Sequence, residues 1–260
     1  MLQLISKKII LLIPILLFFY SCDDITRDNI LDPKNPDSYR QFIITVDAFV
    51  NTNNSLPYNE YLLSALDQLE INYPNRISIA EYHRNAGGID DTLEVNEIEP
   101  LYNLYLNGVN SSIKGVPDVF INGIAARVQG ASSAANALFR LEEAIVPLLS
   151  ENSFFTIEPK LKWENNTLNI SAKIARLGSS SANDIIVKAV IVEMIDQLYH
   201  KRVVRKIIRS NEFSNFGHGE QEDVELDPYP GDVNADLNVI LSVTSKDELT
   251  VHQSIEVTVP

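Results

Sequence analysis

The feature that most constrains this chain is a change in the period of its apolar residues near position 150. Before it, runs with a two-residue period alternate with runs at helical spacing; after it, only the two-residue period recurs. Such a pattern calls for an α/β part followed by an all-β part. The boundaries it suggests are residues 41–151 and 152–260.

In the first part, Gln41–Val50 is apolar on much of both faces, as a central strand is. Ser55 and Pro57 open a helix carrying Leu62, Leu66, Leu69 and Tyr73 at helical spacing. Arg76–Tyr82 is a second strand, and Ile98 to Asn107 a second helix. Gly115-Val116-Pro117 leads into two short apolar runs around Asn122-Gly123, a hairpin signal. A closing helix is expected from Ala131 to Leu149. The order is β-α-β-α-β-β-α.

The second part reads as strands at Leu168–Ile174, Asp184–Ile195, Tyr199–Arg209, Asp223–Leu226, Leu237–Thr244 and Val251–Val259. Some seven short strands in about 105 residues suggest an antiparallel β-sandwich of immunoglobulin-like type, with Trp163 in its core or at its rim. The two parts together offer material for two domains, each with its own core.

The N-terminus reads as a removable signal. Lys7 and Lys8 precede a 12-residue apolar run, Ile9–Tyr20, that contains Pro14 and ends at Ser21-Cys22. A spanning helix needs about 20 apolar residues, so this run is too short for a permanent anchor. A small residue followed by cysteine here resembles the lipobox of bacterial lipoproteins, in which the cysteine is acylated and becomes the mature N-terminus. Phe19 and Tyr20 depart from the usual residues of that motif. The alternative is an ordinary secreted protein. Residues 22–40, rich in Asp, Asn and Pro, read as a tether.

Removing residues 1–21 takes two lysines and no acid from 21 basic and 35 acidic groups, leaving a net charge of −16. That charge repels nucleic acid phosphates and anionic lipid, so membrane attachment falls to the N-terminal lipid and no DNA or RNA role is expected.

Gly115-Val116-Pro117 resembles the cis-proline loop of thioredoxin-like proteins, supported by the element order and the Asn-Gly hairpin. A trans step at a strand start is the alternative. In such a loop the residue before proline offers its backbone to an extended peptide. Val116 and Pro117, with Asn54 and Ser55 at the helix start, are the groove residues this resemblance implies. Redox-active relatives carry two cysteines between the first strand and first helix. Here Phe49–Pro57 contains none, and Cys22 is the only cysteine, so thiol–disulfide exchange has no thiolate to begin it.

Ala65-Leu66-Asp67, Tyr73-Pro74 with Arg76, Glu81-Tyr82-His83, the Gly-Val-Pro to Asn-Gly stretch, Val203–Lys206 and Asp236–Val239 together resemble one family. It consists of outer-membrane-associated proteins named for a twenty-eight-kilodalton outer membrane protein. The resemblance covers residues 41 to 260. It implies a lipid-anchored cell-envelope protein, at the outer membrane, with an envelope protein or peptide as partner.

Other chemistry finds little footing. Asp232, Asn234, Asp236 and Asn238 alternate like the start of a calcium loop, but Leu237 and Val243 stand where glycine and a carboxylate are needed. No Gly-x-Ser-x-Gly elbow and no phosphate loop occurs. His83, His200, His218 and His252 are isolated in sequence, and His83 is expected to pack or cap at a strand end. His218, beside Glu220, Glu222 and Asp223, is the one place for a metal-dependent enzyme, the competing hypothesis. Otherwise no catalytic residue, metal or cofactor is expected. Lys201, Arg202, Arg205, Lys206 and Arg209 fall within nine residues. They either protect an edge strand or pair with the acidic first half or a partner.

Overall fold

The computed structural model describes residues 27–52, 57–197 and 200–260. The signal segment, Cys22, Asn54 and Ser55 lie outside the described residues. The protein is mainly β, with one mixed sheet, smaller antiparallel sheets and three α-helices among the described residues.

The segment expected as a tether ends in a short strand, β1 (Arg40–Gln41), which pairs with Asn152–Ser153. The first half then follows the expected order: β2 (Ile44–Val50), α1 (Pro57–Asn72), β3 (Ile77–His83), α2 (Ile98–Gly108), β4 (Asp118–Ile121), β5 (Ala126–Gln129) and α3 (Ala134–Ile145). The closing helix is shorter than its apolar stripe suggested. Ser133 caps it, accepting from the Asn136 N–H at 3.2 Å, and Pro147 opens a 3-10 turn at Leu148–Ser150. Strands β2 and β3 are parallel, while β4 runs antiparallel to β2 and β5 to β4. All seven residues of β2 are buried because both faces are covered. Ile44, Val46, Ala48 and Val50 pack in a core with α1 and α3, whereas Phe49 packs with α2 on the other side.

The second half comprises β6 (Asn152–Ser153), β7 (Phe155–Glu164), β8 (Thr167–Arg176), β9 (Ala182–Gln197), β10 (His200–Arg209), β11 (Phe213–Phe216), β12 (Gln221–Glu225), β13 (Tyr229–Pro230), β14 (Leu237–Ser245) and β15 (Val251–Thr258). Strands β7, β8, β12 and β13 form an antiparallel sheet. They pack face to face with β9, β14 and neighbouring strands over a core that includes Phe155, Leu168, Ile174, Val187, Ile191 and Leu241, with Trp163 half-buried at its margin. Strand β7 was not legible in the pattern, since Pro159 and four charged residues interrupt it. Among the described residues it pairs with β8 alone, and an edge strand tolerates proline because one side of its backbone needs no ladder partner.

Two expectations are corrected here. The basic segment is not an edge: β10 lies between β9, antiparallel, and β3, parallel, with Val203 opposite Glu81. One sheet therefore runs β15-β14-β9-β10-β3-β2-β4-β5 through both halves. Nor are the cores separate. Phe49, Tyr82, Tyr102, Tyr105 and Phe120 share a third core with Val190, Val192, Val204, Ile207 and Ile240. The cationic residues of β10 pair mostly with acids of the first half. Lys201 meets Asp67 at 2.6 Å, Arg202 meets Asp67 at 3.0 Å and also Glu70, and Lys206 meets Glu97. Arg205 and Arg209 instead reach Glu193 and Glu248, each at 2.6 Å.

Candidate functional site

The C-terminal ends of β2 and β3 and the start of β4 share one end of the sheet, with Val50 opposite His83 and Phe49 opposite Asp118. Here the Val116–Pro117 bond is cis. The loop before it is held by a buried polar cluster. The Gly115 N–H donates to the Tyr102 hydroxyl at 3.0 Å, and that hydroxyl donates to Asp118 at 2.8 Å. Burial keeps the Tyr102 hydroxyl protonated, with its pKa pushed up to about 12, so it remains a neutral donor. Arg127 closes on Asp118 at 2.6 Å, and the Arg84 guanidinium stacks 4.0 Å from the Tyr102 ring centre. Tyr102 and Tyr105 are thus helix packing residues whose hydroxyls are used.

Beside Val116 and Pro117 runs a shallow groove of about 450 Å³, lined also by Tyr58, Gly130, Ala131 and Arg140. The Pro117 carbonyl accepts from the Gly130 N–H at 2.8 Å, tying the groove wall to β4. Among the described residues, nothing bonds the Val116 N–H or carbonyl. Such an unpaired peptide unit can add an extended strand.

A second arrangement at the same end was missed by sequence reasoning. Glu81 and His83 are two apart on β3, so both project to one face. Because β10 docks alongside, His200 joins them from 117 residues away. All three are buried. The Glu81 carboxylate accepts from the Lys201 and Arg202 N–H groups at 3.2 Å each. His83 Nδ1 lies 3.1 Å from Asp91 Oδ2, and Asp91 is itself fixed by the Thr52 N–H at 2.8 Å and the Leu93 N–H at 2.9 Å. Burial alone would raise the Glu81 carboxyl, but the His200 and His83 rings outweigh it and bring its pKa down to about 2. Burial likewise opposes charging His83, yet Asp91 and Glu81 together raise its pKa. The one available signal was the Glu-x-His spacing on a strand; nothing local pointed to His200.

His218 is exposed, and Glu222 and Asp223 are consecutive in β12, hence on opposite faces. The metal-dependent reading through His218 therefore lacks a converging ligand set. Asp232 turns back on its own loop, accepting from the Asn234 N–H at 2.9 Å, while Leu237 to Ser245 is strand.

No family model and no curated protein matches the chain in sequence. Solved structures do resemble it. HBP35 of Porphyromonas gingivalis is similar with a TM-score of 0.60 at 10% identity, over 85% of this chain and 76% of that one. Protein AGR_C_4864 from Agrobacterium tumefaciens is similar with a TM-score of 0.52 at 15% identity, over 84% of this chain and 95% of that one. At such identities the likeness concerns the fold.

Proposed function

We propose that this protein is a lipid-anchored bacterial envelope protein, held through Cys22 at the outer membrane, and a binding or scaffolding module without thiol chemistry. Its first half is read as thioredoxin-like and its last strands as an immunoglobulin-like sandwich. The observation that carries this reading is the Val116 peptide unit, unpaired among the described residues, beside cis-Pro117 in an open groove. An extended peptide from an envelope partner would pair with that unit, and Tyr58, Asn136 and Arg140 would receive its side chains. The single cysteine stands outside the groove region in sequence, which favours binding over redox exchange.

The reading is tested by photo-crosslinking from position 116 in envelope extracts, with Asn136→Trp, at an exposed position that also lines the groove, as the blocked variant. Crosslinked partners that disappear in N136W are expected. The same partners in both proteins would reject the groove. Mass spectrometry of the mature N-terminus tests the anchor: a Cys22 free of acyl chains would reject it.

A further inference from the structure

The Glu81–His83–His200 cluster bears a feature that hydrogen bonding leaves unexplained. His83 Nε2 and His200 Nδ1 are buried and have no hydrogen-bond partner. Both face the same carboxylate oxygen, Glu81 Oε2, at 3.8 and 3.4 Å. The first distance is too long for a hydrogen bond, and neither nitrogen makes one with acceptable geometry. A buried polar atom without a partner has lost its water and gained nothing in return, so two at one point call for a third participant.

The geometry points to a divalent transition-metal site, of the zinc class, with Glu81 Oε2, His83 Nε2 and His200 Nδ1 as its protein ligands. The three atoms lie within 4.8 Å of one another. Donors at 2.0–2.1 Å in a tetrahedron stand about 3.4 Å apart, so the Glu81–His200 pair is already at the required spacing and an ion would draw the His83 nitrogen inward from 3.8 Å of Glu81. The donor set of two imidazoles and one carboxylate suits zinc, leaving a fourth corner for water.

The surroundings complete the arrangement. Asp91 holds His83 by Nδ1, which sets the tautomer with the Nε2 lone pair toward Glu81. The N–H groups of Lys201 and Arg202 orient the carboxylate. Arg202 lies 3.5 Å from Glu81 Oε1, the other oxygen, and its charge is taken up by Asp67 and Glu70. The ligands come from β3 and β10, so the ion would brace the parallel seam where the two halves of the sheet meet.

Purified full-length protein, stripped with chelator and titrated with cobalt(II), is the direct test. One equivalent is expected to give the intense visible bands of a tetrahedral ion, displaced by zinc. In a calorimetric zinc titration, His83→Gln and His200→Gln should each weaken binding at least tenfold, while His218→Gln should not. Zinc should also raise the melting temperature of the wild-type chain. Absence of tetrahedral bands in the wild type would overturn the site whatever the variants do. Undiminished zinc binding in the His83→Gln, His200→Gln double variant would overturn it equally.

Discussion

His252 lies on β15 beside Phe155, with ring centres 5.7 Å apart. Burial lowers its pKa below the ordinary histidine value, and the Arg176 charge adds to this. Protonating the ring therefore favours the unfolded chain. The contribution of the neutral ring is present above about pH 6.5 and is lost as pH falls below it. Denaturant titrations at pH 7.5 and 5.0 should show a smaller loss of stability on acidification in His252→Gln than in the wild type. An unchanged acid slope would show that this ring does not sense the pH. Of the candidate site, Val116 and Pro117 were legible because a proline loop is a local signal. His83 and His200 were not, because residues on distant strands become neighbours only through a pairing that no short window contains.

At the scale of elements, the Asn122-Gly123 turn was legible as a hairpin and its docking was not. Gly123 has φ +73°, and its Cβ position lies 2.2 Å from the Leu249 carbonyl oxygen of the β14–β15 turn. The Ile124 N–H donates to that same oxygen at 2.9 Å. A methyl group at Gly123 thus meets both an unfavourable φ and a backbone atom that cannot step aside. Gly123→Ala should cost about 2 kcal/mol or more, read as a lower denaturation midpoint at unchanged slope. Strand β10 teaches the complementary lesson. Its charges resemble those of a protected edge, yet its apolar residues Val203, Val204, Ile207 and Ile208 are buried and its cations find acids. Composition reports that a strand carries charge; it does not report whether counter-charges wait on both sides.

In the whole molecule, the halves are joined by backbone pairing, by a shared aromatic core and by a buried polar chain. Tyr105 donates to Asp47 at 2.8 Å, Lys188 to Tyr105 at 3.4 Å, and Glu248 receives Arg209 at 2.6 Å with Lys188 3.7 Å away. Separating the halves would open the β3 edge and leave these groups without partners. Unfolding should therefore be one event. Guanidinium titration followed by Trp163 fluorescence, in the second half, and by helical circular dichroism, from the first, should give coincident curves. Two resolved midpoints would show independent domains. The periodicity of the chain was sufficient to determine an α/β half and a β half, and its single cysteine a first half without a thiol pair. Only the tertiary structure decided that β10 enters the first sheet, that a core is shared, and that His83 meets His200. The physical reason is that apolar spacing specifies which face of an element must be covered, and leaves to long-range packing the choice of what covers it.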